Sequence, residues 1–212
     1  MIEHPIIFSD EMVRAILDGR NTQTRRVLRP QPPQIVDLEP WYNGYLGGWQ
    51  WRVMGGMEPA PVNDSYCPYG TPGERLWVRE TWFPLQDPNT CWKEGSKPDV
   101  VYRADHPQDE VTREDWASIG VDRWRPSIHM PRWASRITLE VTAVRVERVQ
   151  GISEEDAWAE GFSDPDGANR GYLDRARYWF HMLWDSINGK RPGCGWADNP
   201  WVWIVEFRRV TP

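Results

Sequence analysis

The chain has 212 residues, 40% of them hydrophobic and 26% charged, and its formal net charge is −6. This composition is typical of a globular protein that is long enough to bury a core. No apolar run approaches the roughly 20 residues that span a bilayer. The first residues also lack the basic, apolar and small-residue zones of a signal peptide. We therefore expect a cytoplasmic protein with no membrane partner.

The first predicted element is a helix over residues 9–19, "SDEMVRAILDG". Ser9 is suited to cap its N-terminus, and Gly19 to end it. Met12, Ala15 and Ile16 share one apolar face. The segment therefore predicts a short amphipathic helix packed on a core.

A basic run, "GRNTQTRR", follows this helix in an otherwise acidic chain. Four arginines lie within ten residues: Arg20, Arg25, Arg26 and Arg29. Clustered guanidinium groups favour a phosphate-facing patch, although a solvated charge run that complements the helix dipole is the alternative. The net negative charge disfavours tight binding to any duplex, but a local patch can still bind a short segment.

Four later segments have the period-two pattern of strands: 74–82, 99–105, 135–149 and 199–210. In the first of them, Leu76, Val78 and Glu80 share one face. The long third strand changes phase after Ala143, which predicts a bulge or a barrel bend. Within residues 31–65, the stretch 44–56 predicts a hairpin.

Two more helices are predicted in the C-terminal half. In the first, "SEEDAWAEGF", Ser153 and Asp156 form a capping box and Gly161 ends the helix. The second lies in residues 172–189. Its predicted buried stripe consists of Leu173, Ala176, Phe180, Leu183 and Ile187. Together the elements predict one α+β domain over residues 1–212, a small mixed β-barrel with flanking helices. Loop-rich insertions are expected at about 31–65, 84–130 and 163–170.

The cysteine, tryptophan and arginine contents limit the function. Cys67, Cys91 and Cys194 are widely spaced without a CxxC pair, which excludes a zinc ribbon and predicts reduced thiols. We expect no metal and no cofactor. The chain also has 15 tryptophans, and 22 arginines against three lysines. Indole rings and guanidinium groups suit stacked recognition of bases and phosphates, but the tryptophans also suit a broad β core. For Trp77, Trp82 and Trp133, burial in the core is the alternative to base stacking.

Four ordered blocks of the sequence, "AILDGRNTQTRR", "PGERLWVRETW", "ITLEVTAVRVERV…ISEEDAWAEGF" and "NPWVWIVEFRRV", resemble the ASCH family of PUA-like barrels. The resemblance is greatest to ASCH proteins carried by phages and prophages. It implies a barrel with a ligand cleft between the barrel and a helix.

The family signature identifies candidate site residues. Gly19 and Arg26 match its first and last positions. Asn21 stands where lysine is usual, and Thr24 where glutamate is usual. Small ASCH enzymes that hydrolyse acetylated cytidine also carry threonine at that place, and their catalytic glutamate corresponds to Glu160. Glu160 ends its helix, where a negative charge opposes the helix dipole, and this favours a functional role.

The departure at Asn21 decides between recognition and catalysis. A lysine with a lowered pKa can act as a base or nucleophile, whereas an asparagine amide can only donate and accept hydrogen bonds. Glu160 could still activate a water that Thr24 orients. The resemblance therefore implies recognition more firmly than catalysis.

Three hypotheses follow. The first is a module that binds a nucleobase, a nucleoside, or a short RNA or DNA segment at the barrel mouth. Its candidate ligand-binding residues are Arg20, Asn21, Thr24, Arg25, Arg26, Glu80 and Glu160. The alternative to ligand binding for Glu80 is an ion pair with a charged residue on a neighbouring strand. The second is an amidohydrolase of N-acylated nucleosides that uses Thr24 and Glu160, with Asn21 in place of lysine. The third is a phage accessory protein that binds a host protein through its tryptophan-rich insertions.

Overall fold

The computed structural model describes residues 2–32, 67–85, 99–106, 123–163 and 175–210, and the backbone of 38–43 and 48–53. The strands are β1 (Glu3–Ile7), β2 (Gln23–Val27), β3 (Leu38–Asn43), β4 (Gly48–Val53), β5 (Arg75–Arg79), β6 (Trp82–Pro84), β7 (Val100–Tyr102), β8 (Thr138–Arg148) and β9 (Trp201–Val210). The α-helices are α1 (Asp10–Leu17), α2 (Glu154–Ala159) and α3 (Arg175–Asn188).

Five strands form a mixed sheet in the order β1-β5-β8-β9-β2. The pair β1–β5 is parallel and the other pairs are antiparallel. The pairs β3–β4 and β6–β7 are separate antiparallel ribbons. The hairpin predicted at 44–56 is therefore wrong in its bounds: it includes β4, but the partner strand β3 precedes residue 44. A mixed sheet with a few helices confirms the α+β class. Within the described part of the chain no ladder joins β1 to β2, so the closed barrel stays a prediction.

The two edge strands of this sheet are nevertheless bridged by one side chain. The Arg26 guanidinium, on β2, donates from Nη2 to the backbone carbonyl of Ile7, on β1, at 2.6 Å. The same guanidinium lies 5.0 Å from the ring centroid of Phe8. The sheet therefore curves far enough for an arginine side chain to span its two edges.

The predicted bulge in the long strand is confirmed. The register of β8 against β9 shifts between Val141 and Ala143, where the apolar residues change phase. The neighbouring strand β9 is buried on both faces. Val202 and Ile204 pack toward α2 and α3, while Trp203, Val205 and Phe207 join the cluster under α1. This explains why "WVWIV" is continuously apolar.

The predicted caps of the first two helices are confirmed. The Ser9 hydroxyl accepts a hydrogen bond from the Met12 backbone N–H at 3.4 Å. Ser153 and Asp156 form a reciprocal capping box on α2. The chain leaves α1 and α2 through Gly19 (φ +75°) and Gly161 (φ +102°), conformations that favour glycine.

The buried stripe of α3 differs from the prediction. It consists of Ala176, Phe180, Trp184 and Asn188. Ile187 is 49% exposed, and Leu173 lies outside the described residues. The buried face instead includes Trp184, whose indole donates to the carbonyl of Cys194 at 2.8 Å.

Much of the three predicted insertions lies outside the described residues. Cys67 and Cys194 carry free thiols, and Cys91 lies outside the described part. None of the described helices is both long and apolar enough to cross a membrane.

Candidate functional site

A cavity of about 670 Å³ lies between α1 and α3. Residues from α1, the end of α2 and one side of α3 line it. They are Ser9, Glu11, Met12, Arg14, Asp18, Arg20, Glu160, Gly161, Ser163, Trp179, Met182, Leu183 and Ser186. The α3 side contributes an aromatic ring and two apolar side chains, and the α1 side contributes mainly charged ones. The cavity therefore has one apolar wall, on α3, and one polar wall, on α1 and the end of α2.

Arg20 joins two sides of this cavity. Its Nη1 donates to the carbonyl of Gly161 at 2.9 Å, and its Nη2 to Asp18 Oδ2 at 2.8 Å. The side chain is still 38% exposed. Arg20 therefore holds the end of α2 against the end of α1 and keeps a charged surface at the cavity.

Glu160 lines the cavity from the end of α2, and its side chain is only 2% exposed. Burial raises its pKa to about 7, against the opposing effect of the Arg25 guanidinium. Arg25 Nη1 donates to Glu160 Oε1 at 3.0 Å. The carboxyl group can therefore exist in either protonation state near neutral pH.

Arg25 is fully buried and connects Glu160 to a larger network. Its Nη2 donates to Asp156 Oδ2 at 2.7 Å, and its guanidinium lies 5.8 Å from the Phe180 ring centroid. Burial raises the pKa of Asp156. Arg25 and the other donors lower it by a larger amount, so the pKa lies below its ordinary value. Asp156 also accepts from Gln23 and Arg145. Arg25 therefore has no exposed surface to offer a phosphate.

Asn21 is buried and contacts the backbone of the candidate glutamate. Its Nδ2 donates to the carbonyl of Glu160 at 2.8 Å, and the two residues form an isolated β-bridge. A Cβ atom on Gly161 would lie 2.9 Å from Ala15 Cβ and 3.2 Å from Asn21 Nδ2. The Asn21 amide therefore holds the end of α2 close to α1. Its Oδ1 is buried and makes no hydrogen bond to a described residue.

Thr24 and Arg26 alternate with Arg25 along β2 and face the other side of the sheet. The Thr24 hydroxyl is buried and has no hydrogen-bond partner among the described residues. Arg26 binds the Ile7 carbonyl, as described above. Neither residue lines the cavity between α1 and α3.

Glu80 lies in a different cluster. It is fully buried, and both of its oxygens accept from Arg136, from Nε and Nη2, at 2.9 Å each. Arg136 also binds Asp105 and lies 3.9 Å from the Tyr102 ring centroid. Burial raises the pKa of Glu80, and Arg136 opposes that effect. The structure thus agrees with the ion-pair alternative for Glu80 and does not place it at the cavity.

The basic run does not form one exposed patch. Arg25 is buried in ion pairs, Arg26 bridges two strands, and Arg29 directs Nη2 toward Cys194 Sγ at 3.9 Å. Of the four arginines, only Arg20 lines the cavity. Among the predicted site residues, the structure therefore brings Arg20 and Glu160 to the cavity, with Asn21 and Arg25 directly behind Glu160.

Sequence reasoning missed the α3 side of the cavity. Trp179, Met182 and Leu183 line it, whereas the sequence stripe assigned only the core face of that helix. Trp179 also packs partly on the core, with its ring centroid 5.5 Å from that of Phe162, so the sequence carried no signal that separates a cavity ring from a core ring.

No protein-family model and no curated protein matches the chain. It is similar to a solved DUF984 protein of Enterococcus faecalis V583, with 10% identity and a TM-score of 0.42 over 99% of this chain and 82% of that one. It is also similar to a solved ASCH domain from Lactobacillus crispatus JV V101, with 14% identity and a TM-score of 0.35 over 98% of this chain and 79% of that one. An ASCH domain is thus among the solved structures that this chain resembles.

Proposed function

We propose that the protein binds a nucleobase, as a nucleoside or within a short RNA or DNA segment, in the cavity between α1 and α3. The observation that carries this proposal is the placement of an indole, Trp179, a buried carboxyl group, Glu160, and an exposed guanidinium, Arg20, around one cavity. Its volume lies within the range of about 300–1,000 Å³ that is usual for small-ligand sites. The ASCH resemblance of the sequence, with its phage-type motifs and expected cytoplasmic location, is compatible with this function.

Each of the three groups has a distinct task. Trp179 offers a ring face to a base. The ionised Glu160 accepts from the N–H groups of a base edge. Arg20 binds a sugar hydroxyl or a phosphate at the exposed side. Arg25 and Asn21 act behind Glu160 as positioning residues and do not contact the ligand.

Isothermal titration with nucleosides and short oligonucleotides at pH 8 tests this proposal. Glu160→Gln keeps the shape of the side chain but removes the charged acceptor, whose hydrogen bond is worth about 1.5–3 kcal/mol. We expect at least about tenfold weaker binding. Glu155→Gln is the matched control, because Glu155 is exposed on the same helix and does not line the cavity. Equal affinities of the two variants would remove Glu160 from the site.

A second variant, with a matched control, tests the aromatic side of the cavity. Trp179→Leu is expected to weaken binding, since base–aromatic stacking contributes about 1–3 kcal/mol. Trp158→Leu should not, because Trp158 is an exposed tryptophan outside the lining. If both variants bind as the parent does, the ligand does not stack on α3.

A second candidate function is hydrolysis of an N-acylated nucleoside. The raised pKa of Glu160 favours it, because a general base works best when its pKa lies near the operating pH. Glu160 would take a proton from water as the water oxygen attacks the acyl carbon. The C–N bond then breaks, and the proton passes to the leaving amine. Release of acetate from N4-acetylcytidine measures this, with Asn21→Lys as the comparator. Absence of acetate from both proteins excludes the reaction.

The third hypothesis, a host-protein partner for the tryptophan-rich insertions, concerns segments that lie largely outside the described residues.

A further inference from the structure

A second cluster of arginine and tryptophan side chains lies away from the cavity, on β5 and residues 123–134. We call it the arginine–tryptophan face. It consists of Trp77, Arg79, Arg123, Arg125, Arg132 and Trp133. None of these residues lines the cavity between α1 and α3.

Cation–π contacts organise this face. The guanidinium groups of Arg79 and Arg132 lie 5.4 Å and 6.0 Å from the Trp77 ring centroid. Arg125 lies 5.3 Å from the ring of the buried Trp82, and Trp82 meets Trp133 edge to face at 5.8 Å. The rings thus hold three guanidinium groups at defined positions beside an indole that is 40% exposed, that of Trp133.

The segment that carries these groups is fixed to the sheet. Arg79 on β5 donates to the backbone carbonyl of Ile128, and Arg132 binds both carboxylate oxygens of Glu3 on β1, at 2.7 and 3.1 Å. Backbone hydrogen bonds join Arg125 to Trp82 in both directions. Arg79, Arg125 and Arg132 are therefore held in place on this face.

The arginines of this face have few acidic partners among the described residues. Arg132 is paired with Glu3, but Arg79, Arg123 and Arg125 have no carboxylate partner among the residues that the structure describes. Arg123, Arg125 and Arg132 are exposed. Exposed guanidinium groups gathered on one face favour an anionic partner, even in a chain with a formal net charge of −6.

We propose that the arginine–tryptophan face binds single-stranded nucleic acid, with the guanidinium groups on phosphates and a base stacked on Trp133. Arginine forks fit phosphate geometry, and an exposed indole stacks on any base. An acidic peptide would satisfy the guanidinium groups but would leave the Trp133 ring without a flat partner. This proposal does not depend on the cavity, since the two sites share no residue.

Fluorescence polarisation with a fluorescein-labelled 12-nucleotide RNA and the corresponding DNA tests it over a range of salt concentrations. Arg123→Gln/Arg125→Gln should weaken binding by about tenfold or more at low salt. It should also reduce the slope of log K against log[salt] by about 1.4, because each phosphate contact on a single strand contributes about 0.7. Lys190→Gln/Arg191→Gln is the matched control: it removes the same charge from two exposed residues in the turn after α3. Equal effects of the two double variants would overturn the proposal.

Substitutions of Trp133 distinguish the contribution of base stacking from that of charge. Trp133→Leu should weaken binding with an unchanged salt slope, whereas Trp133→Phe should retain most of the affinity. Unchanged binding by Trp133→Leu would overturn the stacking contact. Polyglutamate that displaces the oligonucleotide at equal charge concentration would instead indicate an acidic protein partner and refute the proposal. Arg123→Gln/Arg125→Gln should leave nucleoside binding in the cavity intact, because neither arginine lines it, so that failure of the cavity proposal and failure of this one are distinguishable.

Discussion

Arg25 Nη1 lies 3.0 Å from Glu160 Oε1, and the Arg25 side chain is wholly buried while that of Glu160 is 2% exposed. A largely buried ion pair thus joins the cavity wall, at Glu160, to the interior, where Arg25 has no contact with solvent. Removal of one partner from such a pair leaves an uncompensated charge, which costs more than the pair contributes.

Arg25→Met should therefore destabilise the protein by about 3–5 kcal/mol at pH 8. The loss should be smaller at pH 5.5, because Glu160 without its cation takes up a proton and becomes neutral. Urea unfolding at the two pH values measures the difference. Arg25→Met/Glu160→Gln serves as the control, since it has no buried charge at position 160 and should show a loss with little dependence on pH. An equal loss for Arg25→Met at both pH values would contradict this account.

The raised pKa of Glu160 also predicts the direction in which the stability of the parent protein changes with pH. Burial raises this pKa from its ordinary value of 4.5 to about 7. The folded state therefore binds the proton more tightly than the unfolded state. The contribution of Glu160 to stability is fully present below pH 4.5 and is lost as the pH rises to about 7.

Glu160→Gln should consequently abolish this loss of stability with rising pH. Relative to the parent, the variant should gain stability between pH 4.5 and 7, as measured by unfolding at intervals of half a pH unit. Glu155→Gln, which changes an exposed carboxylate on the same helix, should follow the parent curve. A constant difference between Glu160→Gln and the parent across this range would show that the carboxyl titrates at an ordinary pKa.

The features that the sequence predicted well are local ones. The capping residues Ser9, Ser153 and Asp156 act within three residues of their position, and the bulge in β8 follows from a change of phase along one strand. The buried face of α3 was predicted wrongly beyond its first two turns. Its position depends on Trp184, whose indole bonds to the turn that follows the helix.

The candidate site was also predicted only in part from the sequence. The motif placed Glu160 and Asn21 together, and they do meet. It did not predict that Arg25 is buried, because an arginine in a basic run is typical of a surface. The acids that allow its burial, Asp156 and Glu160, are 131 and 135 residues away along the chain. Only the fold brings them to it.

Gly161 sets the distance between α2 and α1. Its φ is +102°, and a Cβ there would lie 2.9 Å from Ala15 Cβ. Gly161→Ala should cost about 1–3 kcal/mol and displace the end of α2 that carries Glu160. Gly19→Ala is the control: its φ is +75°, but a Cβ there meets nothing within 4 Å. It should therefore lose only about 1 kcal/mol, the cost of the left-handed backbone alone. Thermal unfolding compares the two. Equal losses would mean that the close contact with α1 contributes nothing.

Arg136 provides a further test, because it holds the buried carboxylate of Glu80 through two hydrogen bonds of 2.9 Å. Arg136→Leu should destabilise the protein by about 3–5 kcal/mol, since burial already raises the pKa of Glu80 and the compensating cation is lost. Arg208→Leu removes a surface pair with Glu140 whose arginine is 69% exposed, and should cost less than about 1 kcal/mol. Glu80→Gln should leave nucleoside binding unchanged, because Glu80 does not line the cavity. Urea unfolding and isothermal titration on the three variants check these outcomes, and weaker nucleoside binding by Glu80→Gln would return Glu80 to the ligand site.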